Sequence, residues 1–301
     1  NLLQEGVWLG GEQLTLSRVP SMVRAAQLVG AAVREVFDAD RHRGLLERLR
    51  TEQALREAFA NGHLLLHYMP EIDLRDGRWR SAEALLRWRD GDGRIIPAGE
   101  FIDVAEASGL IVRLGRWVLL EACCAAMRWP ARDGVAPMLR VNVSARQFEQ
   151  AGLIGDVQMA LAESHLPPER LCLELTETML LREQDAVAKT LARIRALGVR
   201  VALDDFGSGY CSLSYLKRLP IDTLKIDRGF VAGLPQDQAD LAIVRAVSQL
   251  ANSLGIDVVA EGVETQAQAD CLRDCGVQGV QGWLYSPAID NEALIAAFAA
   301  R

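Results

Sequence analysis

The chain has 301 residues, half of them hydrophobic, and a formal net charge of -7. This length is enough for one large α/β barrel or for two smaller domains. An acidic surface repels a phosphate backbone, so the charge argues against a groove for polymeric nucleic acid.

The sequence contains no apolar run of membrane-spanning length and no charged leader followed by an apolar segment. We therefore expect a cytoplasmic domain. Because the chain begins at Asn1 rather than Met, we also expect it to be a piece of a longer protein, which leaves a membrane anchor elsewhere in that protein open. The six cysteines follow neither zinc-site nor disulfide-framework spacing, which is typical of reduced thiols in a cytosolic protein.

Two helical patterns precede the main part of the chain. Residues 21–37 predict an Ala-rich amphipathic helix. Residues 45–59 have apolar side chains at i, i+3 and i+4 with Arg and Glu on the opposite face, and Asn61-Gly62 ends the pattern. The second helix is either a connector that leads into the main domain or the first helix of that domain.

Residues 64–73 and 79–88 are two strand patterns separated by the turn signal Asp76-Gly77. The link is too short for a parallel crossover, so we expect an antiparallel hairpin.

Helix and strand patterns then alternate. The predicted helices cover residues 97–107 (ended by Gly109) and 110–129, a segment capped by Ser144, a segment from residue 177 to about 197, and residues 238–254, 266–275 and 291 onward. The predicted strands cover residues 139–143, 171–176, 200–203, 221–226, 257–260 and 280–285.

Eight strands over roughly 240 residues predict a closed (β/α)8 barrel in which one strand is antiparallel. An open doubly wound sheet is the alternative, but no glycine-rich dinucleotide fingerprint follows an early strand.

Barrel enzymes place their chemistry at the carboxyl ends of the strands. Unusual polar residues occupy those positions here: Glu83, Asn142, Glu174, Asp204, Asp205, Lys225, Glu261 and Gln281.

Each of these residues also has a simpler interpretation. Glu83 could face solvent, Asn142 could cap a helix, and Lys225 could be a surface lysine. Asp204 and Asp205 could form an ordinary turn. Because all of them fall in one layer of the inferred barrel, we favour a buried carboxylate cluster, which would be very unfavourable without cations. Carboxylate and amide oxygens suit Mg²⁺ or Mn²⁺ rather than zinc, and two adjacent Asp side chains could bridge two such ions.

From about residue 64 to the C-terminus, the sequence resembles the EAL family of cyclic di-GMP phosphodiesterases. The resemblance rests on an ordered set of motifs: Glu83-Ala84-Leu85, Val141-Asn142-Val143-Ser144, Glu174-Leu175-Thr176-Glu177, Asp204-Asp205-Phe206-Gly207, Lys225-Ile226-Asp227, Glu261-Gly262-Val263-Glu264 and Gln281-Gly282. It implies a modified TIM barrel with one antiparallel strand. It also implies metal-dependent hydrolysis of cyclic di-GMP to linear 5′-pGpG.

The resemblance assigns roles to individual residues. Two ions, Mg²⁺ or Mn²⁺, would be held by Glu83, Asn142, Glu174, Asp204, Asp205 and Glu261. Lys225 would act on the attacking water, together with Glu83 and Glu261 as catalytic residues. The substrate would contact Arg87, Gln281, Leu85, Met69 and Asp227. Glu177 would anchor the loop over residues 206–213.

Three residues depart from the family pattern. Met69 stands where the family has a substrate-contacting Gln, so we expect weaker binding or a shifted guanine. Ser208 replaces Thr, and Cys211 replaces Ser. Both substitutions should be tolerated.

Residues 33–59 resemble the junction between a GGDEF domain and an EAL domain. We therefore expect residues 1–60 to be a helical connector, the tail of an upstream GGDEF-like or sensory domain, and residues 61–301 to be the phosphodiesterase barrel. The family resemblance also implies a homodimer. The main alternative function is a non-catalytic cyclic di-GMP receptor. A nuclease that acts on polymeric DNA or RNA is disfavoured by the acidity of the chain.

Overall fold

A computed structural model of the chain describes residues 7–9, 12–14, 44–181, 184–207 and 216–300. The chain divides into two compact units, residues 1–54 and 55–301. In the first unit, Val7–Leu9 (β1) pairs antiparallel with Glu12–Leu14 (β2), a hairpin that the sequence did not predict. A helix over residues 44–60 (α1) confirms the predicted helix over 45–59. The helix predicted over residues 21–37 lies outside the described residues.

The second unit contains nine strands in the described part of the chain. They are Leu64–Asp73 (β3), Trp79–Arg89 (β4), Ile95–Pro97 (β5), Met138–Asn142 (β6), Leu171–Thr176 (β7), Arg200–Phe206 (β8), Thr223–Ile226 (β9), Asp257–Ala260 (β10) and Gly279–Val280 (β11). Eight of them close into a barrel in the order β3-β11-β10-β9-β8-β7-β6-β4, with β3 paired back onto β4. Strand β5 lies outside the barrel on the edge of β4.

Strand β3 runs antiparallel to both of its barrel neighbours, β4 and β11, whereas the remaining barrel pairs are parallel. The predicted hairpin and barrel are therefore confirmed. Strands β7 and β9 are buried almost throughout, as expected of parallel strands that helices cover on the outside. Their interior polar side chains, Glu174 and Lys225, thus point into the barrel without exposure to solvent.

Helices follow most of the parallel strands and cover the barrel. They are Ile102–Ser108 (α2), Leu110–Ala126 (α3), Ala145–Phe148 (α4), Leu153–Ser164 (α5), Gln184–Ala196 (α6), Arg228–Ala232 (α7), Gln238–Ser253 (α8), Gln266–Asp274 (α9) and Asn291–Ala300 (α10). Among the described residues, no helix is both long enough and apolar enough to cross a membrane.

Two predicted helix boundaries are confirmed by their capping geometry. Ser144 forms a capping box with Gln147 at the start of α4. Gly109 adopts the left-handed conformation, with φ 78°, at the end of α2.

Two other predicted elements differ from the structure. Residues 97–107 are not one helix, because Pro97 ends β5, where it pairs with Arg87, and caps a 3-10 helix over Ala98–Glu100, and α2 begins only at Ile102. The strand predicted over residues 280–285 stops at Val280, because the chain turns at Gly282, whose carbonyl accepts from the amide of Tyr285.

Candidate active site

The barrel interior brings most of the predicted polar residues together at the carboxyl ends of the strands. Glu83 extends from β4, Glu174 from β7, Asp204 from β8 and Lys225 from β9, and all four are buried. Glu261 follows β10 directly and is partly buried. Residues from five different strands or strand ends therefore meet in one cluster.

The ammonium of Lys225 lies at the centre of this cluster. Its Nζ is 2.6 Å from Glu261 Oε1 and 2.9 Å from Glu174 Oε2. Glu83 Oε2 and Asp204 Oδ2 lie further away, at 3.3 and 3.5 Å. Lys225 is therefore an interior counter-charge to four carboxylates, and the surface-lysine interpretation is wrong.

Two side-chain amides orient Glu83. Asn142 Nδ2 donates to Glu83 Oε1 at 2.5 Å, and Gln281 Nε2 donates to Glu83 Oε2 at 2.6 Å. Gln281 Nε2 also approaches Glu261 Oε1 at 3.4 Å. Both oxygens of Glu83 are thus fixed, and the carbonyl oxygen of Asn142 is the atom of that side chain left to act as a ligand.

A β-bulge explains how two adjacent Asp residues reach the same site. In a regular strand, neighbouring side chains point to opposite faces. The pairing of β8 with β9 shifts register between Leu203 and Phe206, and Asp205 has a φ of 54°, in the left-handed region. The bulge brings carboxylate oxygens of Asp204, Asp205 and Glu261 within 4.8 Å of one another. Such strained backbone is typical of functional sites.

The cluster has an excess of negative charge. Five carboxylates (Glu83, Glu174, Asp204, Asp205 and Glu261) face one Lys225 ammonium, which leaves four negative charges when all are ionised. Burial raises the pKa of Glu174 to about 8, and the neighbouring Glu83 and Asp204 add to this rise against the effect of Lys225. Burial likewise raises the pKa of Glu261 to about 7.

The pKa values of Glu83, Asp205 and Lys225 are shifted in directions that depend on their neighbours. Burial acts to raise the pKa of Glu83, but the charge of Lys225 and hydrogen bonds from Gln281 and Asn142 lower it below its ordinary value. Burial and the adjacent Asp204 raise the pKa of Asp205. The surrounding carboxylates hold the pKa of Lys225 well above its usual range, against the effect of burial. Carboxyl groups that are destabilised as anions in this way are suited to bind cations.

The donor set fits hard divalent cations. It consists of carboxylate oxygens and one amide oxygen, the ligands that Mg²⁺ and Mn²⁺ prefer. The buried Oε1 of Gln281 has no hydrogen-bond partner among the described residues, so the site also has an unsatisfied acceptor that a water or a ligand could satisfy. Four excess negative charges equal the charge of two divalent ions.

A buried arginine that was not predicted as a site residue lies directly beneath the cluster. Arg140, on β6, is fully buried, and its Nη1 lies 3.4 Å from Glu174 Oε1. Its Nε lies 2.6 Å from Glu71 Oε2, and Glu71 is also fully buried. The signal was an Arg two residues before Asn142 in a strand, where the alternation of side chains places both on the interior face.

A cleft of about 530 Å³ opens beside the cluster. Met69, Glu261 and Gln281 line it, so the structure places Met69 next to two predicted site residues. Trp283 also lines the cleft and is 73% exposed. Trp283 was not predicted as a site residue, although its place directly after Gln281-Gly282 was an available signal.

Three further predicted residues lie around the cluster. Leu85 and Arg87 follow Glu83 at alternate positions of β4, so all three side chains are on one face of the strand. Arg87 is half-buried, and its Nη1 donates to the carbonyl of Leu86. Asp227 caps α7, since its Oδ1 accepts from the amide of Gly229, so one oxygen of its predicted substrate-binding carboxylate is already engaged.

Glu177 contacts the end of the double-Asp strand. It is buried, and its Oε2 accepts from the amide of Gly207 at 2.9 Å. This contact lies at the point where the loop begins, and the anchoring role of Glu177 stays a prediction. The rest of that loop, with Ser208 and Cys211, lies outside the described residues.

The fold and the site together define a TIM-like barrel with an acidic centre, one antiparallel strand and two consecutive Asp residues at a strand end. The model of the EAL domain family matches residues 52–288. The chain belongs to the EAL domain family.

Curated relatives and solved structures agree with this assignment. The bifunctional diguanylate cyclase/cyclic di-GMP phosphodiesterase MucR of Pseudomonas aeruginosa is 41% identical over 263 residues, which cover 87% of this chain and 38% of MucR. The chain therefore spans well under half the length of this relative.

The PaMucR phosphodiesterase in complex with c-di-GMP matches with a TM-score of 0.78 and 43% identity, over 81% of this chain and 99% of that one. The EAL domain of Mycobacterium smegmatis DcpA matches with a TM-score of 0.66 and 42% identity, over 79% of this chain and 97% of that one.

Proposed function

We propose that the chain hydrolyses cyclic di-GMP to linear 5′-pGpG with the help of two divalent ions, Mg²⁺ or Mn²⁺. The observation that carries the proposal is the cluster of five buried or partly buried carboxylates, four of them within 3.5 Å of the Lys225 ammonium, beside an open cleft. The similarity to a phosphodiesterase that is solved with c-di-GMP supports the choice of substrate.

The ions would be held by Glu83, Asn142, Glu174, Asp204, Asp205 and Glu261. When bound, they would lower the pKa of a water molecule and would supply positive charge that offsets the phosphodiester anion. The side chain of Lys225 would hold the attacking water and keep the carboxylates in place. Glu83 and Glu261 lie within hydrogen-bond distance of Lys225 or Gln281 and would orient that water with it.

The remaining residues would bind the substrate. Arg87 presents a guanidinium on the same strand face as Glu83, which suits the oxygens of a phosphate. Met69, Leu85, Gln281 and Asp227 would contact the rest of the dinucleotide. Glu177, through Gly207, would hold the Asp204–Asp205 bulge in place.

We also propose that residues 1–60 form a connector from an upstream GGDEF-like or sensory domain in a longer protein, and that residues 61–301 form the phosphodiesterase barrel. The short span of the chain relative to MucR supports an additional domain. A homodimer, a cytoplasmic location for this domain and a membrane anchor elsewhere in the longer protein remain predictions.

The test separates an enzyme from a receptor. Purified protein is incubated with cyclic di-GMP and Mn²⁺, and the nucleotides are separated by chromatography over time. We expect conversion to pGpG, and no conversion when a chelator is present. Binding of cyclic di-GMP without any pGpG would contradict the enzyme and favour the receptor.

A further inference from the structure

A line of charges runs from the partly exposed Arg80 through buried Glu71 and Arg140 to the acidic cluster. Arg80 Nε lies 2.9 Å from Glu71 Oε1, and Glu71 Oε2 lies 2.6 Å from Arg140 Nε. Arg140 Nη1 reaches Glu174 Oε1, and Glu174 Oε2 contacts Lys225 Nζ. Positive and negative groups therefore alternate along the interior.

Glu174 is held from two sides by different cations. Its Oε1 faces Arg140 at 3.4 Å, and its Oε2 faces Lys225 at 2.9 Å. A carboxylate with one oxygen on each of two fixed cations has a restricted χ3 angle, because rotation would separate both pairs at once. The orientation of this predicted metal ligand therefore depends on Arg140.

The surroundings are built to accommodate Arg140. Ser81 Oγ accepts from Arg140 Nε at 3.2 Å, and Cys172 Sγ lies 3.6 Å from Arg140 Nη1. Gly279 makes room for the partner Glu71, since a Cβ at this position would lie 2.7 Å from Glu71 Oε1. Neighbouring strands thus provide the space for the ion pair and some of the polar contacts of Arg140, whereas the two carboxylate oxygens of Glu71 have no hydrogen bond among the described residues beyond their ion pairs with Arg80 and Arg140.

A buried arginine in this layer of the barrel costs folding free energy. Replacing a buried ion pair with well-packed apolar side chains is often neutral or stabilising. Here Arg140 Nη2 also has no hydrogen-bond partner among the described residues, which adds a desolvation cost. Stability alone does not account for such a residue directly beneath the cluster.

We propose that Arg140 is a positioning residue for Glu174, and that Glu71 balances its charge. The proposal rests on the proposed metal-binding function. Through Arg140, the carboxylate of Glu174 is kept oriented toward the metal site, so Arg140 sets the affinity for divalent ions without touching them or the substrate.

The direction of the effect separates positioning from simple electrostatics. Removing a positive charge near a cation site should by Coulomb's law alone tighten the binding of Mn²⁺. Loss of an orienting partner should instead weaken it, by the roughly 10- to 100-fold that outer partners of metal ligands typically contribute.

The experiment is calorimetric titration of metal-free protein with Mn²⁺, without substrate. We expect the Kd of Arg140→Met to rise about tenfold or more. Arg80→Met is the matched control, because Arg80 pairs with Glu71 but is not a partner of Glu174; we expect it to lower the melting temperature with the Mn²⁺ Kd unchanged. An unchanged or lower Kd for Arg140→Met would overturn the proposal, as would an equal rise for Arg80→Met.

A double variant, Glu71→Gln with Arg140→Met, removes both charges and protects the fold from an unpaired buried carboxylate. We expect its Mn²⁺ affinity to stay as weak as that of Arg140→Met. Recovery of wild-type affinity would overturn the proposal, since Glu71 would then be the cause. Absence of Mn²⁺ binding by the wild-type protein would instead contradict the proposed function itself.

Discussion

At the scale of single residues, Lys225 decides how the cluster is interpreted. A lysine with no solvent exposure and four carboxylates within 3.5 Å is a charged group that folding has removed from water. One ammonium cannot balance five ionised carboxylates, and the raised pKa values of Glu174 and Glu261 show that the cluster disfavours full ionisation in the absence of further cations. The cluster is therefore better explained as a binding site than as a stabilising ion-pair network.

Glu83→Ala tests the cluster most simply. The substitution removes one proposed metal ligand together with the acceptor for Asn142 and Gln281. We expect turnover of cyclic di-GMP to fall by at least about a hundredfold, while circular dichroism shows a retained fold. Turnover close to the wild-type rate would refute the assignment of Glu83 as a ligand.

Met69→Gln tests the departure from the family pattern. Met69 lines the cleft beside Gln281, and a glutamine there could donate and accept hydrogen bonds that a thioether cannot make. One net hydrogen bond stabilises the complex with cyclic di-GMP by about 1 kcal/mol, which corresponds to a roughly fivefold lower Kd. Met69→Leu is the matched control and should bind like the wild type. An equal Kd for all three proteins would mean that this position does not contact the ligand.

At the scale of elements, the end of β8 shows that a sequence pattern can predict a strand but not a bulge within it. The pattern predicted a strand that ends before Asp204, whereas the strand continues to Phe206 through a bulge. Period-two alternation would have placed Asp204 and Asp205 on opposite faces. Only the left-handed φ of Asp205, which depends on the pairing with β9, turns both toward the same site.

Asp205→Asn separates the charge of this residue from its backbone conformation. Asn tolerates the left-handed region as well as Asp does. The substitution removes a carboxylate whose pKa burial and the adjacent Asp204 raise, so it relieves unfavourable charge in the metal-free protein. We expect the melting temperature in chelator to rise by a few degrees and the activity with Mn²⁺ to fall. A lower melting temperature together with normal activity would show that Asp205 serves the fold rather than the site.

Elements with a clear local sequence signal were the more predictable part of the fold. Strands β7 and β9 follow from short, mainly apolar runs, and the end of α2 and the start of α4 follow from Gly109 and Ser144. Strand β5 was not predicted and β11 was predicted too long, because strands of three and two residues are too short to show a period. Their existence depends on pairing with β4, β10 and β3.

At the scale of the whole molecule, the closed barrel explains why the site residues could be selected before their geometry was known. Strand ends that are far apart in sequence converge at one end of a barrel, so Glu83 and Glu261 meet across 178 positions. The interior below that end was not predictable in this way. Arg140 and Glu71 became visible only when the closed barrel placed β3 and β6 on either side of β4, where their side chains meet in the interior.

Metal binding should stabilise the whole barrel. Ions that bind only the folded protein raise the free energy of unfolding by about 2.7 kcal/mol at a concentration one hundred times their Kd. We therefore expect the melting temperature of the metal-free protein to rise by several degrees on addition of Mn²⁺, and this rise to be lost in Glu83→Ala. An equal rise in both proteins would place the ion elsewhere.

The central claim is that this barrel uses divalent ions to add water across a phosphodiester of cyclic di-GMP. Its most direct test is turnover in ¹⁸O-labelled water with Mn²⁺, followed by mass spectrometry of the nucleotide. We expect linear pGpG that carries one ¹⁸O in its terminal phosphate, and no product after chelation. Cyclic di-GMP that is bound by the metal-loaded protein but recovered intact and unlabelled would contradict it.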